Sequence, residues 1–210
     1  MIKYVIPARR NSKGLPFKNR KLITYTLDKL PKKVIKNTIL TTDDEELLKV
    51  GLNYGINCVN RDPSLALDET STKDVILDLK HRKVIDNDDI VIMLYLTYPQ
   101  RSWADVRKAM SFFIDNGAKS LLCRKEIIGT HPYLYMLDVD GIRGKQLTPH
   151  NLYRRQDYPK VFEISHFISI FNVDELGNLN NNLYNKETVF YPIDDVIDVD
   201  TKNDLDLFTK

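Results

Sequence analysis

The chain has 210 residues, a formal net charge of +2, and is 42% hydrophobic and 29% charged. This is the balance of a globular chain long enough to bury an ordinary core, and it excludes disordered and fibrous classes. So small a charge also excludes nucleic-acid binding through bulk electrostatics, and the longest apolar run, Ile90 to Leu96, is too short to span a membrane.

Lys3 to Pro7 reads as a buried opening strand. Leu22, Ile23, Leu27 and Leu30 recur at helical spacing, and Pro31 ends that helix. Lys36 to Thr41 reads as a second strand. Asp43, with acids at 44 to 46, is expected to cap a helix through Tyr54 that Gly55 ends. Ile56 to Val59 is a short third strand, and Thr70 to Val84 a helix with Val75, Ile76 and Leu79 on one face. Ile90 to Leu96 is the central strand, apolar throughout and so covered on both sides. Trp103, Val106, Met110, Phe113 and Ile114 mark an amphipathic helix closed by Gly117, and Ser120 to Cys123 is another strand. This alternation predicts an α/β fold with a mostly parallel sheet between helices.

The pattern changes after Arg124. Tyr133 to Val139, Asp140-Gly141 and a polar return read as a β-hairpin, a small subdomain projecting over 125–160. Val161 to Asn172 reads as a long strand back into the sheet, and Thr188 to Ile193 and Val196 to Val199 as late strands. Thr201 with Asp204 resembles a capping box opening the last helix. Asn178 to Asn182 is too short to link domains, so 1–210 reads as one domain. Cys58 and Cys123 show no metal or redox spacing, and charged residues begin at Lys3 without an apolar leader. The expected location is the cytoplasm.

Three segments carry candidate chemistry. Ile6-Pro-Ala-Arg-Arg-Asn-Ser-Lys-Gly-Leu-Pro-Phe-Lys-Asn19 follows the first strand directly. A basic loop bearing Ser and Gly at a strand end is where α/β folds bind phosphorylated ligands. Arg9, Lys13 and Lys18 can neutralise a triphosphate, while Ser12 and the Gly14 backbone can donate to its oxygens. Neither a Walker A pattern nor Gly-x-Gly-x-x-Gly is present, which argues against a P-loop ATPase and a nicotinamide enzyme. Asp198 and Asp200, at i and i+2 on a strand, would leave one face together and make a Mg²⁺ site that substrate phosphates complete. Equally, Asp200 merely caps the last helix and Asp198 faces solvent. Arg154-Arg155-Gln156-Asp157 suits anion recognition or a surface ion-pair patch. Arg61 and Arg101 each follow a predicted strand, on the edge where open sheets bind ligands. His81, His131, His150 and His166 are scattered and show no triad order.

Taken together, the segments resemble the CMP-sialic acid synthetase family over essentially the whole chain. The resemblance rests on Ile6–Asn19, Thr41-Thr42-Asp43-Asp44-Glu45, Arg61-Asp62-Pro63-Ser64-Leu65-Ala66 with Asp68, Leu94-Tyr95-Leu96-Thr97-Tyr98-Pro99, Arg154-Arg155-Gln156-Asp157-Tyr158-Pro159, and Asp198-Val199-Asp200-Thr201. It implies a Rossmann-like nucleotidyltransferase fold and transfer of CMP from CTP to the anomeric hydroxyl of a sugar acid, with release of pyrophosphate. It also implies roles. Arg9, Asn11, Ser12, Lys13, Lys18, Asn19, Arg61 and Thr72 would bind the nucleotide. Lys18, Asp198 and Asp200 would be catalytic, the two aspartates holding Mg²⁺. Tyr95, Arg101, Arg154, Arg155, Gln156 and His166 would meet the acceptor, and the 125–160 hairpin would form a homodimer. Neither nucleic acid nor membrane is an expected partner.

Departures from the family pattern bear on the acceptor. Arg10-Asn11 stands where two glycines are usual, Tyr95 where a glutamine is typical, and Ser165-His166-Phe167 where Asn-Gly-Ala is common. The expected acceptor is therefore a nonulosonic or related acid other than ordinary sialic acid. The alternatives are a sister cytidylyltransferase acting on the octulosonic acid Kdo or another sugar, a catalytically silent nucleotide binder, and an interaction module with a basic loop.

Overall fold

A computed structural model describes residues 1–127 and 129–209. Its centre is a seven-stranded sheet of order β3-β2-β1-β4-β8-β5-β9. The strands are β1 (Ile2–Pro7), β2 (Thr38–Thr42), β3 (Asn57–Asn60), β4 (Ile90–Met93), β5 (Ser120–Glu126), β8 (Phe162–Asn172) and β9 (Val189–Pro192). β1 pairs in parallel with β2 and β4, β2 with β3, and β5 with β9; β8 runs antiparallel to both β4 and β5. The mostly parallel α/β reading holds.

The helices are α1 (Lys18–Leu27), α2 (Glu45–Asn53), α3 (Thr72–His81), α4 (Trp103–Asp115) and α5 (Lys202–Thr209). Side-chain alternation along the strands feeds two cores. Tyr4, Ile6, Leu40 and Ile92 face one, with Leu22, Ile23, Val106 and Phe113 from α1 and α4. Val5, Ile39, Val91 and Met93 face the other, with Ile76 and Leu79 of α3. Burial of each such side chain contributes about 1.5–3 kcal/mol. Reciprocal capping boxes, Ser71 with Asp74 and Ser102 with Asp105, fix where α3 and α4 begin.

Several boundaries differ from expectation. Asp44, not Asp43, caps α2: its carboxylate accepts the Glu46 N–H, while Asp43 accepts the Arg10 N–H. β4 ends at Met93, because Leu94 onward turns away to form the loop above the sheet. The 196–199 segment is not a strand. Extended backbone there needs no ladder, because Val199 N–H donates to Thr97 O and the Gln100 amide donates to Ile197 O.

Between β5 and β8 the chain leaves the sheet as an arm carrying β6 (Met136–Asp138) and β7 (Gly144–Gln146), an antiparallel pair. Gly141, at φ 78°, makes the turn. Ile128, within the 125–160 segment, lies outside the described residues. The hairpin itself is exposed, and the arm's order comes from rings. Tyr133 stacks on His150 at 4.2 Å, and His131 and Tyr158 pack edge-on around them. His131 Nδ1 accepts the Tyr133 N–H, and His150 Nδ1 accepts the Leu152 N–H.

Candidate active site

β1 lies between β2 and β4, so connections leave it in both directions across the sheet. The crevice beyond the carboxyl ends at such a switch point is where open α/β sheets take ligands. A cleft of about 270 Å³ opens there, lined by Arg9 and Ser12 after β1, Lys18 and Asn19 of α1, Arg61 after β3, Thr72 of α3, and Tyr95 to Thr97 after β4.

Local hydrogen bonding shapes the first loop. The buried Asn19 donates its amide to Arg9 O at 2.8 Å and closes the loop on itself. Phe17 takes φ 53°, a left-handed conformation costly for a bulky residue, immediately before Lys18. Arg9 and Lys13 reach over to one carboxylate, Asp68, at 2.6 and 2.8 Å. Hydrogen bonds from Lys13 and Arg9 hold Asp68 below the usual carboxylate range. Arg61 is buried and donates to Thr41 O at 2.8 Å. Burial lowers its pKa to about 10, so it remains a cation at neutral pH. No carboxylate pairs with it among the described residues, so it offers charge to a ligand.

The decisive contact joins the two ends of the chain. Lys18 Nζ donates to Asp200 Oδ1, and Gly14 lies directly against the Asp200 backbone carbonyl. Asp198 and Asp200 are both exposed and flank the buried Val199, so their carboxylates leave one side of the extended segment together. Asp198 Oδ2 accepts the Tyr98 hydroxyl at 2.7 Å. Thr201 and Asp204 cap α5 reciprocally, so Asp200 is not needed as its cap. A second cleft of about 170 Å³ is lined by Thr72, Tyr95, Thr97, Tyr98, His166, Asn181, Asn182, Asp198 and Asp200. It shares Thr72, Tyr95 and Thr97 with the first, so the two form one continuous groove with the aspartates beside it.

Tyr95 and His166 form one wall of the smaller cleft, their rings edge-on at 5.5 Å. Burial pushes the Tyr95 phenol up to about 12 and pushes the His166 imidazole down, Asp198 opposing the latter. Tyr98 is raised further, again by burial, and stays a donor.

The structure thus brings together Arg9, Ser12, Lys18, Asn19, Arg61, Thr72, Tyr95, His166, Asp198 and Asp200, with Lys13 at the rim. Asn11 is exposed on the loop and lines neither cleft. Arg101 is not brought to either cleft. It is buried between α1 and α4, where it donates to Phe167 O at 2.9 Å, because its position after the strand turns it under the sheet's helix layer. Arg154, Arg155 and Gln156 are also not brought to either cleft of their own chain. They sit exposed on the arm, where Arg154 grips Asp157 through two bonds of 2.9 Å. Four contributors were not singled out from sequence: Tyr98, Thr97, Asn181 and Asn182. The asparagines were visible only as a polar loop, since nothing local says that it folds back beside Asp198.

The residues fit a divalent metal. Each aspartate spends one oxygen on Tyr98 or Lys18 and keeps the other without a protein partner among the described residues. Hard carboxylate oxygens with room for phosphate oxygens match Mg²⁺. No group of three or more ligating side chains occurs among the described residues, so such a site depends on oxygens from a bound ligand.

A family model described as cytidylyltransferase matches residues 4–196. This chain belongs to the cytidylyltransferase family. It is 27% identical over 212 residues to an N-acylneuraminate cytidylyltransferase of Streptococcus agalactiae serotype V, covering 95% of this chain and 50% of that protein. It is 29% identical to post-translational flagellin modification protein B of Campylobacter coli, covering 96% and 89% respectively. Over 132 residues it is 32% identical to a pseudaminic acid cytidylyltransferase of Campylobacter jejuni serotype O:2, covering 58% and 57%. The chain spans about half the length of the streptococcal relatives it matches. The fold is that of CMP:2-keto-3-deoxy-manno-octonic acid synthetase complexed with CTP, with a TM-score of 0.70 at 16% identity over 99% of this chain and 96% of that one. No helix among the described residues is long and apolar enough to cross a membrane.

Proposed function

We propose that this cytidylyltransferase transfers CMP from CTP to the anomeric hydroxyl of a nonulosonic acid and releases pyrophosphate. The observation that carries the reading is the Lys18–Asp200 contact, which joins the phosphate-type loop to the late aspartates across one groove. Arg9, Lys13, Lys18 and the Ser12 hydroxyl would take the triphosphate, its oxygens replacing the Asp68 carboxylate on Arg9 and Lys13. Asn19, Arg61 and Thr72 would place the nucleoside, and the cleft walled by Tyr95 and His166 would take the acceptor.

The reaction is an in-line displacement. The acceptor oxygen forms a bond to the α-phosphorus as the bond to the bridging oxygen breaks, and pyrophosphate leaves with the electron pair. Positioning and charge neutralisation do most of this. Lys18, largely buried, would stand beside the leaving phosphates, and Thr72 and Thr97 stand where the two clefts meet. Asp198 and Asp200 would hold Mg²⁺, which when bound supplies charge neutralisation and eases loss of the hydroxyl proton. The aromatic wall favours an acceptor other than N-acetylneuraminate.

The chain is proposed to act in the cytoplasm as one domain, 1–210, and as a homodimer formed through the 125–160 segment. Leu134, Met136, Leu137, Val139 and Ile142 are exposed on the arm, too apolar a set to leave in water. In such a dimer Arg154, Arg155 and Gln156 would serve the partner's acceptor side. Pyrophosphate release from CTP and Mg²⁺ with a panel of nonulosonic acids, N-acetylneuraminate and Kdo tests the reading. Release with a nonulosonic acid other than N-acetylneuraminate as the best acceptor supports it; N-acetylneuraminate as the best refutes only the preference against it, Kdo as the best refutes the acceptor class, and no release with any acceptor refutes the activity.

A further inference from the structure

Asp198 is an exposed carboxylate, yet its orientation is set from below by a buried hydrogen-bond chain. The Phe167 N–H donates to Ser165 Oγ at 3.2 Å. Ser165, also buried, has its own proton left for the Tyr98 oxygen at 3.4 Å. The Tyr98 proton is then left for Asp198 Oδ2, at 2.7 Å. Each link fixes the direction of the next, because a backbone N–H can only donate and a carboxylate can only accept. The tyrosine has no freedom to swing: it is 5% exposed, and Phe167 meets its ring edge-on at 5.6 Å. The segment carrying Asp198 is tied to the same turn through Val199 N–H to Thr97 O at 2.8 Å.

We propose that Tyr98 is a positioning residue: its hydroxyl, directed by Ser165, holds the Asp198 carboxylate in the orientation in which it binds a divalent cation, and so sets the cation affinity of the site. This rests on Asp198 and Asp200 as the ligands. Groups that orient a metal ligand typically change affinity by about 10–100-fold when removed. A purely structural tyrosine would instead move the melting temperature and leave cation affinity alone.

The test uses Mn²⁺ as the probe. Water-proton relaxation is measured as Mn²⁺ is titrated into the protein with CTP, since the signal rises far more in the ternary complex than for Mn²⁺–CTP in solution. Wild type, Tyr98→Phe, Ser165→Ala and Asp198→Asn are compared, with melting curves and turnover at varied Mn²⁺. Tyr98→Phe is expected to weaken Mn²⁺ binding about tenfold, to shift the melting temperature by only a few degrees, and to regain most of kcat at saturating metal. Ser165→Ala should move affinity the same way by less. Wild-type Mn²⁺ affinity in Tyr98→Phe alongside a loss in Asp198→Asn overturns the positioning role alone. Wild-type affinity in Asp198→Asn overturns the ligand assignment and the inference with it. If Tyr98→Phe does not fold, unchanged affinity in Ser165→Ala overturns the inference.

Discussion

Gly14→Ala puts a single methyl between the two halves of the site. Gly14 does not adopt a positive φ, so alanine's backbone preferences are satisfied there. What alanine meets is main chain. Its Cβ falls on the Asp200 carbonyl oxygen, nearer than real Cβ contacts come, with the carbonyl carbon at 3.4 Å. Backbone cannot swing aside as a flexible side chain would. To restore ordinary contact the loop and the Asp200 segment must part by about 1 Å. A misplacement of that size costs roughly 100-fold in rate, or about 2.7 kcal/mol of transition-state stabilisation. Stability should fall less, by about 1–2 kcal/mol, because both segments lie at the surface. Initial rates of pyrophosphate release read the effect, and Gly177→Ala is the control, since a Cβ there meets nothing within 4 Å. Turnover by Gly14→Ala within about threefold of wild type would refute the close apposition of loop and aspartates.

Asp44→Asn should cost about 3 kcal/mol, seen as a melting temperature about 10 °C lower, because it unpairs Arg20 from a buried carboxylate that also caps α2. Burial opposes ionisation of Asp44, but the bonds from Arg20 and the Glu46 N–H outweigh it and hold the pKa low. Its stabilisation is therefore present above about pH 4 and lost as pH falls through the folded-state value, so Asp44→Asn should flatten that acid limb in pH-dependent melting. His166 acts in a higher window. Burial lowers its pKa, so below about pH 6.5 the unfolded chain takes the proton first and stability falls as pH drops towards the folded-state value. His166→Gln should lose this dependence in melting curves below about pH 6.5. Arg101→Met should destabilise by about 2 kcal/mol through the stranded Phe167 carbonyl and leave the acceptor KM unchanged; a raised KM would return Arg101 to the acceptor site.

What could be read in the sequence was whatever local chemistry decides. Short apolar runs marked β1 and β4, weak alternation marked β8, and serine three residues before aspartate marks the starts of α3 and α4 in the structure. The first loop was legible because cations, serine and glycine crowd one strand end. Asp198 and Asp200 line one cleft, on extended backbone strapped to the 97–100 turn rather than in a strand. Residues whose roles depend on distant partners were not legible. Arg101 looks like Arg61 in sequence, each following a strand, and both are buried; only the tertiary fold opens Arg61 onto the cleft while Arg101 is taken up by the Phe167 carbonyl beside Ser102 and Trp103. Tyr98 and Asn181 gain their place solely from where 198–200 comes to rest. The arm residues Arg154, Arg155 and Gln156 have no core of their own chain to anchor them near the groove.

The most direct measurement is the thermal shift produced by CTP with and without Mg²⁺, in wild type, Lys18→Met and Asp200→Asn. A triphosphate at about 100 times its Kd should stabilise wild type by about 2.7 kcal/mol, more with Mg²⁺ than without, and the Mg²⁺-dependent part should vanish in both variants. A Mg²⁺-dependent shift that survives intact in either one would contradict a single groove holding nucleotide and metal between those residues.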